Sequence, residues 1–263
     1  MKLFYRTKGA GSPFVILHGL YGMSDNWMSI VRKMEGEYKF ILPDLRNHGR
    51  SEFSDDHTYE AMVGDLLDLL DELKLEKVVL LGHSMGGKVA MRFALKYPER
   101  ISKLIVVDIA PKNYSNSTNF GTETANHANI IKILMSHSLT DISNRDDIDA
   151  LFAKDLPDPV LRSFLLKNIE RNKDGSFSWQ INLPVLHKSL TGILDGFTDV
   201  EGESFADVLF VRGDLSPYIH PDDLFYIKKY FPNAELVTIK NAGHWVHVQQ
   251  PSILINTIRF FLS

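Results

Sequence analysis

Short apolar runs alternate with segments of helical periodicity along this sequence, and the alternation restricts the folds that the chain can adopt. Uninterrupted apolar runs occupy residues 14–17, 40–42, 78–81, 104–107 and 208–211, and a run interrupted only by Thr238 occupies 236–239. Helical patterns occupy 59–73, 222–230, 252–262 and a stretch that ends before Pro98. A fully apolar run is typical of a parallel strand covered on both faces. Strands that alternate with helices predict an α/β fold, with a mostly parallel, doubly wound sheet.

The alternation stops between residues 112 and 203 and then resumes. This segment begins with a polar stretch and continues with apolar residues at helical spacing, without a strand pattern between them. We therefore expect a helical cap at 112–203, inserted into a core formed by residues 1–111 and 204–263. Near the amino terminus, two short extended runs flank a Gly/Ser/Pro turn at 9–13, a pattern that predicts a hairpin at one sheet edge.

The composition of the 263-residue chain excludes several classes of function. It contains no cysteine, which excludes disulfides, thiolate metal sites and a cysteine nucleophile. The formal charge of −4 gives no electrostatic footprint for nucleic-acid binding. Arg6 and Lys8 lie where a signal peptide would need an apolar stretch, and no apolar run approaches the roughly 18 residues of a membrane span. We expect a cytoplasmic protein with no membrane partner.

The apolar run at 78–81 leads directly into Gly82-His83-Ser84-Met85-Gly86 and then into a helix. A Gly-x-Ser-x-Gly sequence between a strand and a helix is the pattern of a nucleophile elbow. The serine of such a turn has a strained backbone, and glycines on both sides remove collisions with the neighbouring strand and helix. The pattern predicts that Ser84 is a nucleophile presented at the carboxyl end of the sheet.

A serine hydroxyl needs a base, and the base needs a carboxylate partner. His244 follows the run at 236–239 and is the predicted base, whereas we expect His247 to be structural. Asp108 and Asp214 both follow predicted strands, so both could lie at the same edge of the sheet. Position along the chain does not choose between these two carboxylates.

The oxyanion of an acyl-transfer intermediate requires backbone N–H donors. Met85 follows the nucleophile at a helix amino terminus, and Leu20 lies in the glycine-rich bend HGLYG that follows the run at 14–17. We predict that both N–H groups form the oxyanion hole and that His18 braces the bend. Trp27, Trp179 and Trp245 fit an acyl pocket and a packed core equally well.

Four motifs in this order resemble the α/β-hydrolase superfamily: HG at 18–19, DLRNHGRS at 44–51, GHSMGGK at 82–88 and GHW at 243–245. The details RNHG, VDIAP and AGHWVH resemble a branch of small esterases, which includes bacterial esterases active on short and medium acyl esters and on acyl-CoA thioesters. In most of the superfamily the acid stands three residues beyond a glycine after the cap, a position that is Ser216 here. In the esterase branch the acid instead follows the strand after the elbow helix, so the resemblance favours Asp108 over Asp214.

The resemblance implies a serine hydrolase of carboxylic esters, including acyl-CoA thioesters, with short to medium acyl chains. It implies a Ser-His-Asp triad, an acyl-enzyme, no metal or organic cofactor, and a small-molecule substrate as partner, and it leaves monomer and homodimer open. Alternatives with the same triad are a carbon–carbon bond hydrolase, a lyase of quinone synthesis and a cofactor-free perhydrolase. A ligand-binding receptor with slow turnover is an alternative of a different class.

Overall fold

The computed structural model describes residues 1–114, 121–139, 142, 144–197 and 199–263, with the backbone alone at 121–126. The strands are β1 (Tyr5–Lys8), β2 (Pro13–Leu17), β3 (Lys39–Pro43), β4 (Val78–His83), β5 (Ile101–Val107), β6 (Ile169–Arg171), β7 (Phe177–Trp179), β8 (Val208–Gly213) and β9 (Glu235–Ile239). The helices are α1 (Met28–Lys33), α2 (Tyr59–Glu72), α3 (Met85–Lys96), α4 (Gly121–Ser136), α5 (Arg145–Ala153), α6 (Pro159–Leu166), α7 (Leu183–Leu194), α8 (Leu224–Tyr230), α9 (Val246–Gln249) and α10 (Pro251–Leu262).

Seven of these strands form one sheet in the order β1-β3-β2-β4-β5-β8-β9. Every pair in it is parallel except β1 with β3. Residues of β4 are buried along its whole length, as expected for a strand with both faces covered. The register aligns Leu17 of β2 with Gly82 of β4 and His83 with Val107 of β5, so the loops that follow these strands meet at one edge.

Helices cover both faces of the sheet, which confirms the predicted doubly wound α/β fold. Alternate residues of β2 enter different apolar clusters: Val15 packs with side chains of α2 and α3, and Phe14 packs with side chains of α1 and α10. This alternation follows from the two-residue period of a strand. The sheet therefore separates two apolar cores.

The predicted amino-terminal hairpin is wrong. β1 pairs antiparallel with β3, with Tyr5 opposite Pro43, whereas β2 lies parallel between β3 and β4. Both edges of β2 are thus occupied by strands that follow it in the chain, which leaves β1 only the outer edge of β3. Strand pairing is decided by contacts between distant segments, and a turn pattern does not encode it.

Between β5 and β8 the described residues form α4 to α7 and the antiparallel pair β6–β7. The expectation that no strand interrupts these helices is wrong, because Ile169, which fits a helical pattern with Val160 and Phe164, lies in β6. α6 ends at Leu166, and the side-chain amide of Asn168 then donates hydrogen bonds to the carbonyls of Leu165 and Tyr21.

In the described part of the chain, no helix combines the length and apolar character that crossing a membrane demands.

Candidate active site

Ser84 lies in a sharp turn between β4 and α3. Its backbone has φ 54° and ψ −122°, a left-handed conformation that non-glycine residues rarely adopt. A Cβ on Gly82 would overlap the backbone of Gly86, and one on Gly86 would overlap the carbonyls of Leu17 and His18. The Ser84 N–H donates to the carbonyl of Val107 across 3.1 Å and ties the turn to β5. The structure thus forms the strained turn that the sequence predicts.

His244 lies in the loop after β9 and contacts Ser84 and Asp108. The Ser84 hydroxyl donates to Nε2 of the imidazole across 3.0 Å, and the imidazole Nδ1–H donates to Oδ2 of Asp108 across 2.8 Å. An ionised carboxylate can only accept a hydrogen bond, so the proton of the neutral ring lies on Nδ1. The lone pair of Nε2 is therefore directed at the hydroxyl, which is the arrangement that a general base requires.

Asp108 is fully buried at the end of β5, with a positive φ of 54°. Its Oδ1 accepts the Gly213 N–H across 3.1 Å, and its Oδ2 also accepts the hydroxyl of Ser216. Ser216 is the position at which most of the superfamily has the acid, and in this chain it supports the carboxylate instead. The buried carboxylate thus has three donors, which compensate for its removal from water.

Asp214, the alternative acid, is exposed and lies apart from this chain of hydrogen bonds. Its Oδ1 accepts the backbone N–H of Ala242 across 3.2 Å and so stabilises the loop after β9. The structure therefore brings Asp108, and not Asp214, into contact with His244.

The bend that contains Leu20 lies against the nucleophile. A Cβ on Gly19 would approach the Ser84 Cβ to 3.0 Å, so a side chain there would require the two loops to separate by a few tenths of an ångström. His18 is buried and braces the bend: its Nδ1–H donates to the Gly19 carbonyl across 2.8 Å, and its Nε2 accepts the Leu45 N–H across 2.9 Å. Burial lowers the pKa of His18 and keeps its ring neutral.

A cavity of about 300 Å³ extends from Ser84 beneath the helices that lie between β5 and β8. Such a volume is at the lower end of the range for small-molecule sites. Its wall includes residues of α4, α6 and α7, namely Ile130, Leu161, Phe164, Ile193 and Leu194. Trp27 and Trp245 also line it, whereas the Trp179 ring packs 6.0 Å from that of Phe152.

Two residues that the sequence did not single out lie close to His244. The Tyr218 ring stacks on its imidazole, with centroids 3.9 Å apart and planes 21° from parallel. His83 contacts its backbone carbonyl across 2.9 Å. His247 stacks on Trp27 at 4.4 Å, and burial lowers its pKa to about 3, in agreement with a structural role. Only the fold brings these rings together. In the sequence, His83 directly precedes Ser84 and Tyr218 follows Asp214 by four residues.

Comparison with known proteins assigns the family. The profile of the family described as alpha/beta hydrolase fold matches residues 12–251. The chain is an α/β hydrolase. It is 38% identical over 267 residues to a protein named sn-1-specific diacylglycerol lipase ABHD11 from Danio rerio, covering 97% of this chain and 80% of that protein. It is 34% identical over 271 residues to Esterase YbfF from Escherichia coli, covering all of both chains.

A solved structure described as a marine microorganism esterase superposes on this α/β hydrolase with a TM-score of 0.94. The two sequences are 44% identical, and the match covers 99% of each chain. The fold and family expected from the motifs are therefore confirmed.

Proposed function

We propose that this α/β hydrolase cleaves carboxylic esters with Ser84 as nucleophile, His244 as general base and Asp108 as the acid that orients the base. The observation that carries the proposal is the hydrogen-bonded series from the Asp108 carboxylate through the imidazole to the Ser84 hydroxyl. The relatives named esterase and lipase at 34–44% identity support the same activity.

Acylation begins when Ser84 Oγ attacks the ester carbonyl while its proton passes to Nε2 of His244. The buried carboxylate of Asp108 stabilises the imidazolium that results. The developing oxyanion accepts hydrogen bonds from the N–H groups of Leu20 and Met85, and the amino terminus of α3 adds a favourable dipole. The imidazolium then donates its proton to the leaving alcohol, and the ester bond breaks.

Deacylation repeats these steps with water as the nucleophile. His244 accepts a proton from water, the hydroxide attacks the acyl-enzyme, and the carboxylic acid leaves as the proton returns to Ser84. His244 accepts and donates each proton that the scheme transfers, so the scheme requires no cofactor.

We propose esters of short to medium acyl chains as the substrate class, because the cavity has apolar walls and a volume of only about 300 Å³. The expected cap at 112–203 limits the acyl length through its described helices α4, α6 and α7, which line the cavity beside Ser84. Acyl-CoA thioesters fit the same chemistry, because a thiol leaves more readily than an alcohol. The cytoplasmic location inferred from the sequence stays a prediction.

Initial rates on p-nitrophenyl esters and acyl-CoAs of increasing chain length test this function, with Ser84→Ala as the blank. We expect rapid hydrolysis that is lost in Ser84→Ala, and covalent labelling of the wild-type protein by a fluorophosphonate probe. A wild-type protein that the probe does not label would overturn the serine-hydrolase mechanism. Labelling together with negligible turnover of every ester and thioester would favour the alternative of a ligand-binding receptor with slow turnover.

A further inference from the structure

His83 immediately precedes the nucleophile, and its side chain is 4% exposed. The mechanism proposed above uses it for no proton transfer. It nevertheless contacts the loop that carries the base and the bend that carries an oxyanion donor, as well as being bonded to Ser84. A residue that touches three parts of a reaction centre is in a position to set their separation.

The contact with the base is a hydrogen bond from His83 Nε2 to the main-chain carbonyl oxygen of His244, at 2.9 Å. A carbonyl oxygen only accepts, so Nε2 carries the proton. The two rings also lie near each other, with centroids 4.7 Å apart and planes inclined by 40°. His83 therefore fixes the backbone of His244, while Asp108 and Ser84 bind the ring.

The contact with the bend is steric. A Cβ on Gly19 would lie 3.0 Å from Nδ1 of His83, the same separation as from the Ser84 Cβ. The imidazole thus abuts the main chain immediately before Leu20. The ring therefore lies between the bend and the base loop.

His83 is a neutral donor. Burial is the main cause that holds its pKa well below the ordinary value, and the neighbouring His244, His247 and His18 lower it further. When His244 becomes an imidazolium during acylation, a neutral ring at 4.7 Å adds no like charge. An arginine or lysine donor at position 83 would oppose that protonation.

We propose that His83 is a positioning residue: its neutral imidazole joins the base loop to the bend, and it thereby holds His244 and Leu20 in the geometry that Ser84 requires. This inference rests on the proposed function. Misplacement of a reacting group by about 1 Å costs on the order of 100-fold in rate, so loss of the hydrogen bond should appear in the chemical step.

The test compares His83→Phe, which keeps a ring and removes the donor, with His83→Gln, which keeps an N–H donor. We expect His83→Phe to lower kcat by about 10- to 100-fold with KM within about twofold, and His83→Gln to restore most of the loss. The rate of fluorophosphonate labelling should fall in parallel with kcat, because labelling requires activation of Ser84 by His244. When kcat/KM is measured against pH, the acidic limb of the profile should be the same for His83→Gln and the wild type, because His83 carries no charge.

His57→Phe is the matched control, since it removes another buried histidine outside the candidate site. It should leave kcat within about twofold of wild type. If His83→Phe does not fold, His83→Met removes the same donor with a flexible side chain and takes its place. A kcat near wild type in the folded donor-less variant, failure of glutamine to restore activity, or a rise in KM alone would reject the positioning role. Activity that persists in Ser84→Ala would instead reject the proposed function, so the two failures are distinguishable.

Discussion

Asp108 accepts a hydrogen bond from His244 across 2.8 Å, although 136 residues separate them in the chain. Asp108 directly follows β5 and His244 lies in the loop after β9, and β8 lies between these two strands in the sheet. The Gly213 N–H at the end of β8 donates to the second oxygen of the carboxylate. The contact thus spans three neighbouring strands, whose parallel register brings the two side chains to one edge.

Replacing the two candidate acids separately tests which one serves His244. Asp108→Asn should lower kcat by about 10⁴-fold, because an amide facing Nδ1 favours the wrong imidazole tautomer and does not stabilise the imidazolium. Asp214→Asn is the matched control and should stay within about threefold of wild type, since an amide oxygen can still accept the Ala242 N–H. The reverse result, with the large loss in Asp214→Asn, would refute the assignment.

The wall of the cavity should limit the acyl chain. Ile193→Ala and Phe164→Ala remove side chains that line the cavity from α7 and α6. Each substitution should shift the acyl length with the highest kcat/KM toward longer chains. For each further methylene that enters the cavity, kcat/KM should rise by about fourfold, equivalent to about 0.8 kcal/mol. Rates on p-nitrophenyl esters of increasing length measure this shift. Val160→Ala, at a side chain of α6 that is 62% exposed, should keep the wild-type profile. An unchanged optimum in both wall variants would show that other residues limit the chain length.

Lys88 should make the stability of the protein depend on pH above neutrality. Its ammonium group is buried on α3 and donates to the carbonyls of Ile193 and Asp195, and burial lowers its pKa from 10.5 to about 7. Between pH 7 and 10.5 the unfolded chain binds a proton that the folded chain has lost, so this group makes the unfolding free energy rise with pH.

Urea unfolding of the wild type and of Lys88→Met at pH 7, 8 and 9 measures this contribution. The unfolding free energy of the wild type should increase relative to that of Lys88→Met by about 1.4 kcal/mol for each pH unit, the value for one proton. Other titrating groups are common to both proteins and cancel. Parallel pH dependences would mean that the folded protein keeps Lys88 charged throughout.

Buried histidines should destabilise the fold on the acid side. Burial lowers the pKa of His57 and of His127 from 6.5 to about 4. Between these values the unfolded chain binds protons that the folded chain does not, so stability falls as the pH falls from 6.5 to 4. Each histidine should cost about 2 kcal/mol at pH 5 relative to pH 7.

His57→Phe measures one of these contributions. The loss of unfolding free energy between pH 7 and pH 5 should be smaller in His57→Phe than in the wild type by about 2 kcal/mol. His187→Phe serves as the control for the substitution itself, because this histidine is exposed on α7. Equal losses in the wild type and in His57→Phe would contradict a neutral, buried His57.

The sequence by itself determined the features that depend on neighbouring residues. Apolar periodicity predicted the strands and helices of the core, and the glycines around Ser84 predicted its turn, because a Cβ at 82 or 86 collides with the backbone of adjacent segments. The motifs around Ser84 and His244 indicated the family, and the proposal to use these two residues in catalysis came from them.

Only the tertiary structure decided the relationships between distant segments. Asp108 and Asp214 both follow strands, and the sequence favoured Asp108 only through the family resemblance. The fold brings Asp108 into contact with His244, whereas Asp214 accepts the Ala242 N–H. The partner of β1 and the β6–β7 pair also lay beyond the sequence patterns. The physical reason is the same in each case: strand pairing and side-chain contacts depend on segments far apart in the chain, and their packing selects one of several arrangements that local propensity allows equally well.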